Sequence, residues 1–322
     1  MAETTAQDAQ RAESAARSRK SGRRLRLKGQ LALQTMILPG LLVFLVFEYG
    51  PMFGLQIAFR DYSLVRGFFE APWVGFRHFQ RFLIDPNFWT VIENTVGINV
   101  LGLVLGFPAP LLFALFLNEL RNQKFKRVTQ TISYLPHFVS WVVFGGLVIN
   151  LLSPQTGAVN RLLLNLGLID EAVFFMGRPE YFWFIAVLSG ILKGIGWGAI
   201  LYLAAMAGVD PQLYEAAIVD GAGRFSRMWH VTLPCIMGTT VILLIFQIAG
   251  FFNTGFEQIW VLQNSLNVSR SETIDTYVYK VGLQQLRFSY ATAVGFLRSI
   301  LAVILVMSAN ALSKRITEKG LF

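Results

Sequence analysis

Two basic residues set deep in apolar sequence are the first candidates for chemistry. Lys193 and Arg298 sit near the middles of stretches otherwise suited to hydrocarbon. A charge at that depth costs at least about 2.5–3.5 kcal/mol and normally faces a cavity or a partner. Glu48 and Glu93 fall near the ends of such stretches, so no carboxylate is expected at comparable depth. Two readings follow. Either each cation pairs with backbone carbonyls or a neighbouring subunit, or it lines a path for an anionic solute. Trp197 follows Lys193 by four residues and shares its helix face. An indole beside a cation suits a sugar, whose C–H face stacks on aromatic rings. Gln247, Phe251 and Asn253 extend the candidate lining. Covalent chemistry has no comparable support. His78, His137 and His230 lie far apart, Cys235 is the single cysteine, and neither HExxH nor GxSxG occurs. No Gly-Lys dipeptide exists, so no phosphate-binding GxxxxGK[ST] loop can form. The expectation is no catalytic residue, no metal site and no cofactor held by this chain.

The elements that must position these residues follow from composition. Of 322 residues, 54% are hydrophobic and 15% charged, with a mean hydropathy of +0.51; soluble domains carry about 25% charged residues. A hydrocarbon core needs about 20 apolar residues per helix. Six stretches qualify, at about 33–54, 91–117, 130–152, 181–208, 233–253 and 290–312. They are too long for strands and lack the alternation of a membrane barrel. An all-α membrane protein with a six-helix bundle is expected. Gly102-x-x-x-Gly106 and Gly190-x-x-x-Gly194-x-x-x-Gly198 offer small faces for close helix packing, and Pro108 and Pro110 predict a kink.

Charge sets the orientation. With both termini inside, the cytoplasmic segments carry 17 Lys and Arg in 78 residues and the outer loops 9 in 100. That asymmetry places the N and C termini in the cytoplasm. The net charge of +9 is thereby explained without nucleic acid, because the basic residues are interrupted by long apolar runs. Residues 1–30 are expected to form a disordered, basic cytoplasmic tail attracted to anionic lipid, ahead of a transmembrane domain at 31–322.

One polar cytoplasmic segment, about 209–232, is the most informative. Asp210 and Pro211 start a short helix, and Gly221 and Gly223 break it. A second short helix, about 224–231, is expected to end against Pro234. Tyr214, Ala217, Ile218, Phe225, Met228 and Trp229 give this helix-turn-helix an apolar face for lipid or for a groove in a partner protein.

The segment resembles the EAA loop of permease subunits in binding-protein-dependent ABC importers. Glu215, Ala216, Ala217, Gly221, Leu233 and Pro234 match that pattern at its spacing, with Val231 where isoleucine is usual. Asp220-Gly221-Ala222 is similar to the carbohydrate branch. So are Tyr49-Gly50-Pro51, Ala58-Phe59-Arg60-Asp61-Tyr62 and Tyr134-Leu135-Pro136-His137-Phe138-Val139-Ser140, which resemble permeases for lipoprotein-associated polysaccharide, rhamnogalacturonan and alginate oligosaccharides.

The resemblance implies a type I importer permease in a bacterial cytoplasmic (inner) membrane. Its loop would seat in a separate ATPase, with Glu215 as a charged anchor and Gly221 as the bend. The implied partners are two ATPase subunits that bind ATP and Mg, a second related permease, and an extracytoplasmic solute-binding protein. The implied solute is a saccharide, and the two intramembrane cations suggest an acidic oligosaccharide. A secondary transporter or channel is the alternative, though neither inverted repeats nor coupling carboxylates are evident.

Overall fold

The computed structural model describes residues 34–317, with side chains to residue 311; the basic tail expected at 1–30 lies outside the described residues. Two units divide at Gln56 and Ile57. The first carries most of helix α1 (Gln34–Phe59), whose turn at Leu45–Tyr49 is π-helical. Within it the rings of Phe44 and Tyr49 meet edge to edge at 5.4 Å.

The second unit holds the remaining spans. Helices α2 (Arg77–Leu83) and α3 (Phe88–Asn118) are followed by α4 (Gln123–Phe138), α5 (Trp141–Leu151) and α6 (Ala158–Asn165). After them come α7 (Phe182–Ala207), α8 (Pro211–Val219), α9 (Arg224–Cys235) and α10 (Met237–Ala249). The chain closes with α11 (Phe256–Leu262), α12 (Val268–Ser271), α13 (Ile274–Tyr279) and α14 (Phe288–Thr317). The described residues form no named strand, only one isolated bridge between Arg60 and Trp73.

Two of the six expected spans are not continuous. Among the described residues four helices are long and apolar enough to cross a membrane, and the count rises to six if each of two bent pairs, α4–α5 at 107° and α9–α10 at 66°, is one broken span. In the first pair Val139 is extended, and Ser140 caps the next helix by accepting from the Val143 N–H at 3.4 Å. Pro136, in the last turn of α4, cannot donate to the helix ladder. In the second pair the expected stop at Pro234 is corrected. A π-helical turn at Met228–Thr232 lets the helix run through the proline to Cys235, and the bend falls at Ile236. The same device precedes Pro108 in α3, where Phe107 N–H reaches Gly102 O at 3.1 Å. A π turn absorbs the hydrogen bonds that proline removes.

Three buried clusters hold the bundle. Met228 and Ile236 pack with Ala114, Leu115, Ala199, Tyr202 and Met206. Ile98, Phe182, Val187, Ile259 and Leu262 fill a second cluster, and Phe82, Val91, Tyr277 and Tyr290 anchor a third beneath the loops that join α2 to α3 and α13 to α14. Backbones approach closely where glycine allows it. A Cβ on Gly196 would come within 2.2 Å of Ser133 O on α4, and one on Gly198 within 2.9 Å of Pro110 on α3. Gly102 and Gly194 do not serve this purpose, since a Cβ on either meets nothing within 4 Å.

Candidate functional site

The cytoplasmic segment is a helix pair joined by a left-handed turn. Asp210 accepts from Gln212 N–H at 2.9 Å, and Pro211 begins α8 where a missing N–H costs nothing. At the other end Gly221 takes φ +77°. Ala222 N–H then reaches Ala217 O at 2.8 Å and Gly221 N–H reaches Ile218 O at 3.0 Å, a Schellman cap. Gly223 is extended and starts α9, so only Gly221 supplies the left-handed bend. Tyr214 Oη lies 3.0 Å from Thr232 Oγ1 and ties α8 to the π turn, whose Met228 and Thr232 are buried.

This clamp leaves one side of the pair facing outward. Leu213, Ile218, Val219, Phe225 and Trp229 are exposed, Val219 to 86%. Glu215, Ala216, Asp220 and Pro234 are also exposed, and Ala217, Ala222 and Leu233 are half-buried. The arrangement offers an apolar surface with two carboxylates and a fixed turn.

A cavity of about 370 Å³ opens between α3, α7, α10 and the start of α11. Two helix stripes, Gly102, Gly106 and Pro110 on α3 and Ala186, Gly190 and Gly194 on α7, line it together with Asn99, Gln247, Asn253, Thr254, Gly255 and Gln258. The glycines that pack against nothing thus leave room for the cavity. Asn99 donates its amide to Thr95 O at 2.7 Å, and Gln258 donates to Ala186 O and to Ser189 Oγ. Their amide oxygens remain as acceptors. No lining side chain is charged, so the surface suits hydroxyl groups and uncharged ring edges.

Of the candidates drawn from sequence, Gln247 and Asn253 reach this cavity, whereas Lys193, Trp197, Phe251 and Arg298 are not among its lining residues. The reason is helical phase. Residues 186, 190 and 194 of α7 face the cavity, while 193, 196 and 197 lie on the face packed against α4. Lys193 is 8% exposed and donates to His137 O at 2.8 Å and Pro136 O at 3.1 Å. These are carbonyls of the last turn of α4, where the helical ladder ends and Pro136 O keeps only one backbone donor, the Val139 N–H at 3.3 Å. Hydrocarbon offers no water to satisfy them, and a cation complements a helix C-terminus. Trp197 stacks on His137 at 4.5 Å with rings 1° from parallel, so one face of the indole is already taken.

Arg298 corrects a second expectation. It pairs with Asp275, on a short helix beyond α11, so a carboxylate of this chain does reach its depth. Sequence reasoning also missed Asn99, Thr254 and Gln258. The signal for Asn99 was present, an amide within an apolar span. Thr254 and Gln258 gave none, because the turn between α10 and α11 looks like ordinary loop.

Comparison with known proteins gives this geometry a context. The family described as the inner membrane component of binding-protein-dependent transport systems matches residues 98–318. Protein LplB of Bacillus subtilis (strain 168) is 46% identical over 296 residues, 92% of each chain. The polygalacturonan/rhamnogalacturonan transport system permease protein YteP of the same strain is 44% identical, again over 92% of each chain. A crystal structure of a bacterial ABC transporter involved in the import of the acidic polysaccharide alginate superposes with a TM-score of 0.82 at 41% identity. It covers 90% of this chain and 97% of its own. A second, of a bacterial alginate ABC transporter in complex with an alginate pentasaccharide-bound periplasmic protein, gives 0.83 at 40% identity, with 91% and 98% covered. The chain is a multi-pass membrane protein with the type I importer permease fold, and it belongs to the inner membrane components of binding-protein-dependent transport systems.

Proposed function

We propose that this chain is one transmembrane subunit of an ATP-driven importer in a bacterial cytoplasmic membrane, passing a saccharide handed over by an extracytoplasmic binding protein. The observation that carries the coupling half of this reading is the exposed apolar face of α8 and α9. Five large apolar side chains stand in the open on a helix pair whose opposite side is pinned to the bundle. A helix face of this kind fits a groove in a partner protein. The partner is a pair of ATPase subunits that hold ATP and Mg, since this chain has no phosphate loop. Glu215 and Asp220 meet that groove at its edge. A rim-exposed ion pair contributes about 0–1 kcal/mol, so the apolar residues supply most of the affinity and Gly221 sets the angle.

The solute half rests on the central cavity. One bundle supplies one wall, and a second related permease closes the other. ATP-driven approach of the two ATPase subunits then rocks the bundles, exposing the cavity to alternate sides. Likeness to the polygalacturonan/rhamnogalacturonan permease and to the alginate transporters points to an acidic oligosaccharide. On this chain the amide groups of Asn99, Gln247, Asn253 and Gln258 would hydrogen-bond its hydroxyls. The test is to purify the complex through a tag on this chain and reconstitute it. A second permease and an ATPase should come with it, and ATP hydrolysis should rise with the loaded binding protein and an acidic oligosaccharide. A chain that purifies alone and transports without ATP would refute the reading.

A further inference from the structure

The chain leaves α10 at Ala249 and enters α11 at Phe256, and the turn between them lends Asn253, Thr254 and Gly255 to the cavity. Irregular backbone is tolerated within a membrane bundle where it is buried in protein or lines a cavity. Asn253 N–H bonds to Gly250 O at 2.8 Å, and the Asn253 side chain accepts from Gly255 N–H at 3.2 Å. Both stay within the turn. Phe252 packs on the cluster around Phe82 and Tyr277, while the turn's hydrogen bonds to the rest of the bundle run through Thr254, which is 6% exposed and whose hydroxyl also lies 3.3 Å from Thr273 Oγ1. Thr254 donates its backbone N–H at 3.4 Å and its hydroxyl at 3.1 Å to one oxygen of Asp275, 21 residues further on. The other Asp275 oxygen takes the guanidinium of Arg298 from the final span. Asp275 itself is held in the first turn of α13, whose start is fixed by a reciprocal capping box between Thr273 and Thr276.

We infer that Arg298 and Asp275 are positioning residues for the solute cavity, a relay that ties the α10–α11 turn to the last span; this rests on the cavity being the solute path. The carboxylate has a different client on each oxygen, so Arg298 sets its orientation and that orientation sets where Thr254 stands. An interior ion pair contributes little net stability relative to apolar residues but fixes geometry well. Any shift of α14 during transport reaches the cavity rim through this contact. A cation far from the lining thereby acts on it.

The test uses the assembled complex in a Cys235→Ser background, with Asn253→Cys added for the labelling readout alone and the native Asn253 kept for the transport and hydrolysis readouts. Asp275→Asn and Arg298→Met should change the thiol-labelling rate at position 253 by about 2- to 30-fold, the range of such couplings. They should shift the half-saturating concentration of loaded binding protein to a similar extent, with basal ATP hydrolysis retained. Arg298→Lys, which keeps the cation, should fall between these variants and the parent and carries the test if the Met variant does not assemble. The exchange of Arg298→Asp with Asp275→Arg separates relay from plain ion pair. Arginine at 275 cannot accept from Thr254, so the exchange should stay impaired. Full recovery by the exchange, or unchanged labelling in Asp275→Asn, would overturn the relay. Altered labelling with unaltered half-saturation would leave the positioning in place and sink the cavity as the solute path.

Discussion

Replacing Gly221 tests the coupling reading through a single backbone angle. At φ +77° an L-residue pays about 1–2 kcal/mol for the left-handed conformation. A Cβ there would meet nothing within 4 Å, so no clash adds to this and the whole cost is conformational. The substitutions should therefore rank by tolerance of that conformation, with Asn mildest, Ala intermediate and β-branched Val worst. A cost of about 1–2 kcal/mol lowers the population of the native turn about 5- to 30-fold. The bonds Ala222 N–H to Ala217 O and Gly221 N–H to Ile218 O are lost with it. The pair lies on the surface, so water replaces those bonds and the bundle stays folded. Proteoliposomes holding the complex report uptake and ATP hydrolysis stimulated by loaded binding protein, and the detergent-extracted yield controls for assembly. Gly221→Val should depress stimulated turnover about 5- to 30-fold at unchanged yield, and Gly221→Asn should stay close to the parent. Wild-type stimulation in Gly221→Val would refute the coupling role of the turn.

Four further outcomes follow from the geometry. Gly194→Leu should block uptake without lowering the yield of complex, because its Cβ meets nothing within 4 Å, it lines the cavity, and leucine favours the helix by about 0.8 kcal/mol; normal uptake would show that solute passes elsewhere. Lys193→Met should reduce assembly and thermal stability by about 2–4 kcal/mol, since it removes two charge-assisted bonds to α4 carbonyls; a variant of parental stability with poor uptake of acidic solute alone would return Lys193 to the path. In a Cys235→Ser background, Ser63→Cys and Ser265→Cys should react with an impermeant thiol reagent in intact cells and Ser226→Cys only after permeabilisation, and the reverse pattern would invert the orientation. Asp85 gives a pH dependence. Burial raises its pKa, but hydrogen bonds from Asn87, Tyr277 and Tyr290 outweigh burial and hold the carboxyl below the usual 3.8. Its contribution is present above the unfolded pKa and is lost as pH falls through the lower folded one. Melting temperatures should therefore fall between pH 5 and pH 3 less steeply for Asp85→Asn than for the parent, and equal slopes would count against this.

Features that depend on local composition and short spacing are legible in the chain alone. Six apolar runs mark the candidate spans, because hydrocarbon thickness sets a countable length, but they do not show that two of the six are bent. Asp210, Pro211 and Gly221 announce a helix with a left-handed end, because capping acts within a few residues. The fixed frame from Glu215 to Pro234 carries the family. Features that depend on helical phase and on distant partners emerge only on folding. Whether Lys193 or Gly194 faces the cavity is about 100° of helical rotation, and only the packing of α4 on one side of α7 settles it. Gly196 and Gly194 look equivalent in the chain, yet one touches the Ser133 backbone and the other opens onto space. The break at Val139 is only half legible, since Pro136 marks a weak point but the carbonyls that end α4 also need a donor, and here that is Lys193, more than 50 residues away. Arg298 shows the same limit. Its carboxylate stands 23 residues earlier, in a segment that reads as outer loop, and only folding brings that segment down to meet the span.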